Sequence, residues 1–421
     1  MHTAAPDGSS ASLQHLIANL PRDEVEPFVV SPDGPVADAL RRSGVTVLTV
    51  GGVSMLHSIV GMPLRGRRLI ELGRTLVNLR HGPALRKAIE HVRPDVVHLN
   101  ERGMLQAAVV ARRTGAAVVM HARSVADPRP AWLVHSSRRI IARNVDRVIA
   151  IDGSVRRSLG PMAAADVVYN PLAGAATRPG GGADATARSA PGSQATAATT
   201  GVPDPGARPV VRVVYLTGLA PAKGIWDLVA AAERLCERKD IRFVIAGTNG
   251  RSPAFHRSLP GRLAQVTGLI PDVESALRRR VASSGLGDTV ELVGHVEDPG
   301  PLLRSSDILV FPSHHDGPGR SVIEAAIEGV PSVVALRHRI EDVVVDGETG
   351  LIVPPRDPVA LAAAITRLAD DSALRACLGA AARTAAAERS DPKVVARRVV
   401  EIYREALLSR GTGSTRRPTP S

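Results

Sequence analysis

The chain has 421 residues, room for two or three domains, and its apolar fraction of 44% supplies globular cores and excludes wholesale disorder. It carries 53 Lys+Arg against 41 Asp+Glu, a net charge of +12, yet aromatic residues are only 2% of it, which leaves little to stack on bases and argues against a nucleic-acid partner. No apolar run approaches the ~18 residues of a membrane span and no charged–apolar–small leader pattern opens the sequence, so any membrane contact is expected to be peripheral.

Helical spacing at Ser12, Leu13, Leu16, Ile17 and Leu20 follows a glycine-containing turn at Asp7-Gly8-Ser9-Ser10. The pattern then reads strand 27–30, helix 34–43, strand 45–50, a helical region 66–92 interrupted at Gly82-Pro83, strand 95–99, helix 104–114, strand 117–121, helix 132–144, strand 147–151 and strand 165–169. Strands alternating with helices predict a parallel, doubly wound sheet. The strand that should feed the first turn is missing, because Met1–Ala5 is too short and too weakly apolar; the expectation is that the natural chain starts a few residues upstream. Residues 173–209 are Ala, Gly, Pro, Thr and Ser without hydrophobic period and read as a flexible linker.

The alternation then restarts with strand 210–216, helix 224–238, strand 241–247, a polar insertion at 249–274, helix 275–284, strand 290–293, a short helix 299–305, strand 308–311, helix 319–329, strands 332–335 and 351–353, and helices within 357–388. A last helix, 393–408, follows Pro392 and is expected to pack back on the first domain; 409–421 is expected to be a disordered tail. The organisation is therefore a first domain 1–172, a linker 173–209, a second domain 210–392, and the final helix and tail. Two such domains on one linker leave a cleft between them, and ligands of these sheets sit outside the carboxyl ends of the strands.

The charge is unevenly placed. Residues 1–172 carry a net +8, 210–408 carry none, and the tail adds +3, so an anionic partner is expected on the first domain. An arginine-rich solvated surface accounts for the same numbers. The two cysteines, Cys236 and Cys377, make no disulfide framework, and a reducing cytoplasm is the expected location.

The richest stretch runs F-P-S-H-H-D-G-P-G-R-S-V-I-E from Phe311 to Glu324. A strand ends at Phe311, a glycine loop follows, and a helix opens near Gly319 whose free N–H groups suit a phosphate. Asp316 before the helix and Glu324 within it suit hydroxyls on either side of a diphosphate; a helix cap with a surface glutamate is the plainer reading of the same residues. A second strand–glycine–helix junction, Tyr215 to Gly224, carries Gly218 and Lys223, a compact cation for phosphate charge. The Walker spacing is absent. His314-His315-Asp316 looks like a metal cluster on paper, but adjacent residues at a strand end seldom converge on one ion, and no metal is expected.

Taken together, the run from Phe311 through Ser332-Val333-Val334-Ala335, the later V-D-G-E-T-G-L-I-V-P-P from Val345, and Asp307-Ile308-Leu309-Val310 resemble the donor domain of the family-4 retaining glycosyltransferases. The first half matches more loosely, at His98, His121-Ala122-Arg123, Asp146 to Asp152 and Tyr169-Asn170-Pro171. The resemblance implies a GT-B fold, α/β with two Rossmann-like domains facing a cleft, and a metal-independent transferase that needs no cofactor beyond a nucleotide diphosphate sugar as substrate.

It also implies roles. Glu324 would bind the ribose hydroxyls, Asp316 a hydroxyl of the donor sugar, the amides of Gly317, Gly319, Arg320 and Ser321 the sugar and diphosphate, and Lys223 the diphosphate. His121 would face the sugar from the first domain, where a histidine closing a strand end is the alternative, and Gly8 would belong to that domain's glycine loop.

This sequence departs from the family pattern in three places. Asp316 is one methylene shorter than the family's glutamate, Pro318 replaces an aromatic residue, and Gly218 replaces an arginine. Arg320, Arg337 or Arg339 is expected to supply the missing cation. The implied reaction uses same-face internal return with no protein nucleophile. A phosphorylated, lipid-linked or otherwise anionic acceptor is expected on the first domain, with peripheral docking at the inner face of an anionic membrane as the membrane-linked case, in polysaccharide or glycolipid synthesis. The competing readings are a degenerate nucleotide-sugar-binding member and a sugar-nucleotide epimerase or phosphorylase of similar architecture.

Overall fold

The computed structural model describes residues 8–52, 77–125, 131–160, 165–172, 210–248, 258–259, 272–314, 319–337 and 343–411. The first unit comprises α1 (Gly8–Asn19), β1 (Phe28–Ser31), α2 (Pro35–Arg42), β2 (Thr46–Thr49), α3 (Gly82–Val92), β3 (Val96–Leu99), α4 (Leu105–Thr114), β4 (Ala117–Ala122), α5 (Ala131–Asn144), β5 (Arg147–Ala150), α6 (Gly153–Leu159) and β6 (Ala165–Val167). The second comprises β7 (Val211–Leu216), α7 (Ile225–Arg234), β8 (Ile241–Ala246), α8 (Val273–Ser283), β9 (Val290–Gly294), α9 (Gly300–Arg304), β10 (Ile308–Phe311), α10 (Arg320–Glu328), β11 (Ser332–Ala335), β12 (Gly350–Val353), α11 (Pro358–Asp370) and α12 (Ser372–Ser390), and α13 (Pro392–Gly411) ends the described chain.

All strand pairs among the described residues are parallel. The second unit builds one sheet in the order β12-β11-β10-β7-β8-β9. Every residue of the neighbouring strands β10 and β11 is buried, all of them apolar but Ser332, as a sheet covered by helices on both faces requires. Helix α7 turns Ile225, Leu228, Val229, Ala231 and Ala232 to that core at helical spacing.

In the first unit, β3-β4-β5-β6 form one sheet and β1-β2 another, with no ladder joining them among the described residues. Residues 1–7, where the sequence lacks a first strand, lie outside the described residues, as do the linker 173–209 and nearly all of the expected insertion.

Helix α13 lies over the first unit. Val395, Ala396, Val399, Val400, Ile402 and Ala406 join the core formed by Leu13, Leu16 and Ile17 of α1 with Ala117, Val119 and Ile149 of the sheet. At ~1.5–3 kcal/mol for each large side chain, this apolar face is what holds the helix in place. Arg398 adds an ion pair to Asp166 at 2.7 Å. The helix continues past the expected end at 408 to Gly411, and Arg410 in its last turn donates to the carbonyls of Gly115 and Ala116; the rest of the expected tail lies outside the described residues.

Two further expectations are corrected. Gly8, Ser9 and Ser10 are not a turn but the first turn of α1, where Ser10 and Ser12 are buried and Ser12 Oγ donates to the Gly8 carbonyl at 2.9 Å. Helix α6 was not anticipated; Asp152 caps it by accepting from the Val155 amide at 2.8 Å. Both cysteines are free thiols. No described helix is long and apolar enough to cross a membrane.

The loops after β7 and β10 press against each other. Gly224 has φ +73, and a Cβ there would meet the Pro312 carbonyl oxygen at 1.8 Å. At Gly218 a Cβ would meet nothing closer than the Thr248 carbonyl oxygen at 3.7 Å. Gly224→Ala is therefore expected to cost more than about 2 kcal/mol, while Gly218→Ala stays within about 0.5 kcal/mol, as read from urea melts of the two variants.

Candidate functional site

The carboxyl end of β10 organises the second unit's side of the cleft. Phe311 closes the strand and its ring is buried. Lys223, ending a 3-10 turn at Pro221–Lys223, holds its Nζ 5.6 Å from the centre of that ring. Burial lowers the Lys223 pKa, so its charge is one the surroundings solvate poorly. Gly319 packs on the same ring: a Cβ there would fall 2.6 Å from Phe311 Cε2. One aromatic side chain thus fixes both the cation and the start of α10.

From Gly319 the helix carries Arg320, the buried Ser321 and, one turn on, Glu324. Arg320 Nε donates to Glu324 Oε1 at 2.8 Å. Both line a cleft whose other walls include Leu303, Ile327, Leu172 and His15 of α1, so the two units share it. The backbone joins them as well, where the Leu172 amide donates to the Ser390 carbonyl at 3.1 Å.

His314, considered from sequence only as a metal ligand, does something else. Its Nε2 lies 2.7 Å from Asp227 Oδ2, and its amide donates to the Ala222 carbonyl at 3.0 Å, tying the β10 loop to the Lys223 turn. Among the described residues no group of three or more His, Cys, Asp and Glu side chains could hold a metal ion. Asp316, Gly317, Pro318 and Arg339 lie outside the described residues, and Arg337 is exposed.

On the first unit a polar cluster is buried at the ends of β3 and β4. Arg123 Nε donates to Asn100 Oδ1 at 2.7 Å, one Nη donates to Asn170 Oδ1, and the other lies 3.3 Å from His121 Nδ1. Asn100 Nδ2 donates to the Ser9 carbonyl at 3.2 Å, which brings the start of α1, with Gly8, to this cluster. Because an arginine only donates, His121 Nδ1 accepts and its proton sits on Nε2.

His98 stands 5.3 Å from His121, ring centre to ring centre, and Tyr403 Oη of α13 lies 2.8 Å from His98 Nδ1. The Nε2 atoms of both histidines are buried and have no hydrogen-bond partner among the described residues. Arg123 and His121 are two residues apart at one strand end, whereas Tyr403 could not be paired with His98 from sequence, since those partners are 305 residues apart.

Burial, then the neighbouring Arg123 charge, lowers the His98 pKa to about 3 and holds His121 well below its ordinary value. Both imidazoles are neutral in the folded chain. On unfolding they regain an ordinary pKa near 6.5 and take up protons, so their contribution to stability is complete above about pH 6.5 and declines as the pH falls below it, for His98 down to about 3. The slope is up to ~1.4 kcal/mol per pH unit for each histidine. Urea melts of the wild type between pH 7.5 and 5.5 are expected to show this loss, and the His98→Asn and His121→Asn variants a flatter profile.

Residues 211–371 match the family model described as glycosyl transferases group 1, and residues 7–173 that of the glycosyl transferase 4-like domain. The glycogen synthase of Mycobacterium tuberculosis is 28% identical over 193 residues, covering 45% of this chain and 42% of that one. A D-inositol 3-phosphate glycosyltransferase of Kineococcus radiotolerans is 30% identical over 301 residues, covering 67% and 62%. The chain thus spans under two thirds of the length of either relative. The crystal structure of Anabaena HepE in complex with UDP and glucose superposes with a TM-score of 0.69 over 96% of this chain and 97% of that one at 17% identity, a likeness of fold. With two parallel α/β units sharing a cleft and both family models matched in order, the fold is GT-B and the chain belongs to the group 1, family-4-like glycosyltransferases.

Proposed function

We propose that this chain transfers a glycosyl group from a nucleoside diphosphate sugar to an acceptor, with retention of configuration and without a metal. The observation that carries the reading is the Phe311 ring, which brings Lys223 Nζ and the start of α10 to one place with Glu324 one turn further on. That spacing suits a diphosphate against the cation and the free amides, with the ribose diol against the carboxylate. Charge developing on the leaving diphosphate would be met by Lys223 and the first-turn amides of α10, which are in place before the reaction and need no reorganisation. The family memberships and the UDP-containing structural neighbour agree with this donor class.

Asp316 and Gly317 complete the sugar side of the site in this reading. His121 contributes as a neutral donor: its Nε2–H, without a partner among the described residues, suits a sugar hydroxyl and is unsuited to remove a proton. No protein nucleophile is assigned, and the leaving phosphate assists deprotonation of the acceptor. The acceptor docks on the first unit, whose net +8 favours a phosphorylated, lipid-linked or otherwise anionic molecule, at an anionic membrane face in the lipid-linked case.

Incubating the protein with a panel of UDP-, GDP-, ADP- and dTDP-sugars and following release of the nucleoside diphosphate tests the donor class, since slow hydrolysis needs no acceptor. One base is expected to be preferred, and Lys223→Met and Glu324→Gln each to slow release about 10- to 100-fold with folding retained. Failure of the wild type to bind or hydrolyse any of them overturns the reading.

A further inference from the structure

Helix α10 opens with a cation in the wrong place for helix stability. Arg320 occupies the first helical position, where the positive end of the helix dipole opposes it, and Glu324 follows four residues later, the less favourable order for such a pair. The pair is not a solvent-screened surface contact either: the two side chains are 25% and 13% exposed and both form the wall of the cleft shared with His15 and Leu172. Helix stability therefore does not account for it.

The bonding pattern shows what is left to use. Only Nε of Arg320 is engaged, at 2.8 Å from Glu324 Oε1. Among the described residues neither Nη group of Arg320 and no donor for the second oxygen of Glu324 has a partner. The guanidinium thus keeps its two-pronged end for another anion while its Nε orients the carboxylate. Gly319, the residue before it, packs against Phe311, on whose ring Lys223 stands. Of the three arginines considered for the cation absent at Gly218, Arg337 is exposed and Arg339 lies outside the described residues, whereas Arg320 is in the cleft.

We propose that Arg320 is the specificity-determining residue that reads the diphosphate of the donor, and that its Nε bond to Glu324 couples diphosphate binding to recognition of the ribose diol. This rests on the nucleoside diphosphate sugar reading above and deepens it. A ligand with two phosphates would take both Nη prongs and leave the carboxylate oriented. A monophosphate or a free nucleoside would leave the prongs empty.

The test is calorimetric titration of the whole chain with the nucleoside diphosphate, among UDP, GDP, ADP and dTDP, that the wild type binds tightest, and with its monophosphate. Arg320→Gln is expected to weaken the diphosphate about 10- to 100-fold and the monophosphate several-fold less, with melting temperature little changed. Combining it with Glu324→Gln is expected to cost less than the two separate losses multiplied, because the two side chains act as a unit. Equal weakening of both ligands by Arg320→Gln, or no weakening of either, overturns the inference. A wild type that binds none of the four diphosphates sinks the donor reading itself, which separates the two failures.

Discussion

The contact on which the site depends is a backbone one. Gly224, in the left-handed region, lies against the carbonyl of Pro312 so closely that no side chain fits between them. That approach sets the distance between the loops after β7 and β10, the two central strands of the second sheet. Once it is set, Phe311 receives Lys223 on its face and Gly319 at its edge, and the His314–Asp227 pair ties the two loops on the other side. A site for an anion needs cations and amides held still before the anion arrives, because their reorganisation would otherwise oppose binding. Here glycine packing and one buried ring hold them.

The electrostatics of the two sides differ in kind. On the second unit, cations are placed where burial and a helix dipole work against them, at Lys223 and Arg320. On the first unit, Arg123 is buried among amide oxygens and imidazoles, and burial, followed by its charge, keeps His98 and His121 neutral. Helix α13 joins the sides. It leaves the second unit, buries an apolar face on the first, and delivers Tyr403 to His98. The polar cluster beneath the first sheet's carboxyl edge therefore includes a residue from the far end of the chain.

Much of the fold was legible because its sheets are parallel and buried. Ile308–Phe311 is a continuous apolar run between Asp307 and Pro312, Ser332–Ala335 is an almost wholly apolar one opening after Pro331, and the limits of both were read to the residue. The errors fell where side chains satisfy local backbone groups. Gly8-Ser9-Ser10 looks like a turn by composition, yet it opens a helix in which Ser10 is buried and Ser12 Oγ donates back to the Gly8 carbonyl. Helix α6 is short, and its Asp152 cap was hidden in a run that reads as a strand end. The last helix outlasted its pattern, and Arg410 in its last turn donates to carbonyls 295 and 294 residues away.

The sequence by itself determined the two α/β units, the loop from Phe311 to Glu324, and the family they belong to, because these rest on residues close together in the chain, whose spacing is visible. The Arg320–Glu324 pair belongs to the same class, four residues apart on one helix. Tertiary structure alone decided which cation stands over Phe311, that His314 answers to Asp227 87 residues earlier, that Arg123 meets Asn170, and that Tyr403 reaches His98. Those pairings come from strand order and from a helix crossing between units. Neither leaves a trace in local spacing, since the chain distance between partners carries no information about their distance in space.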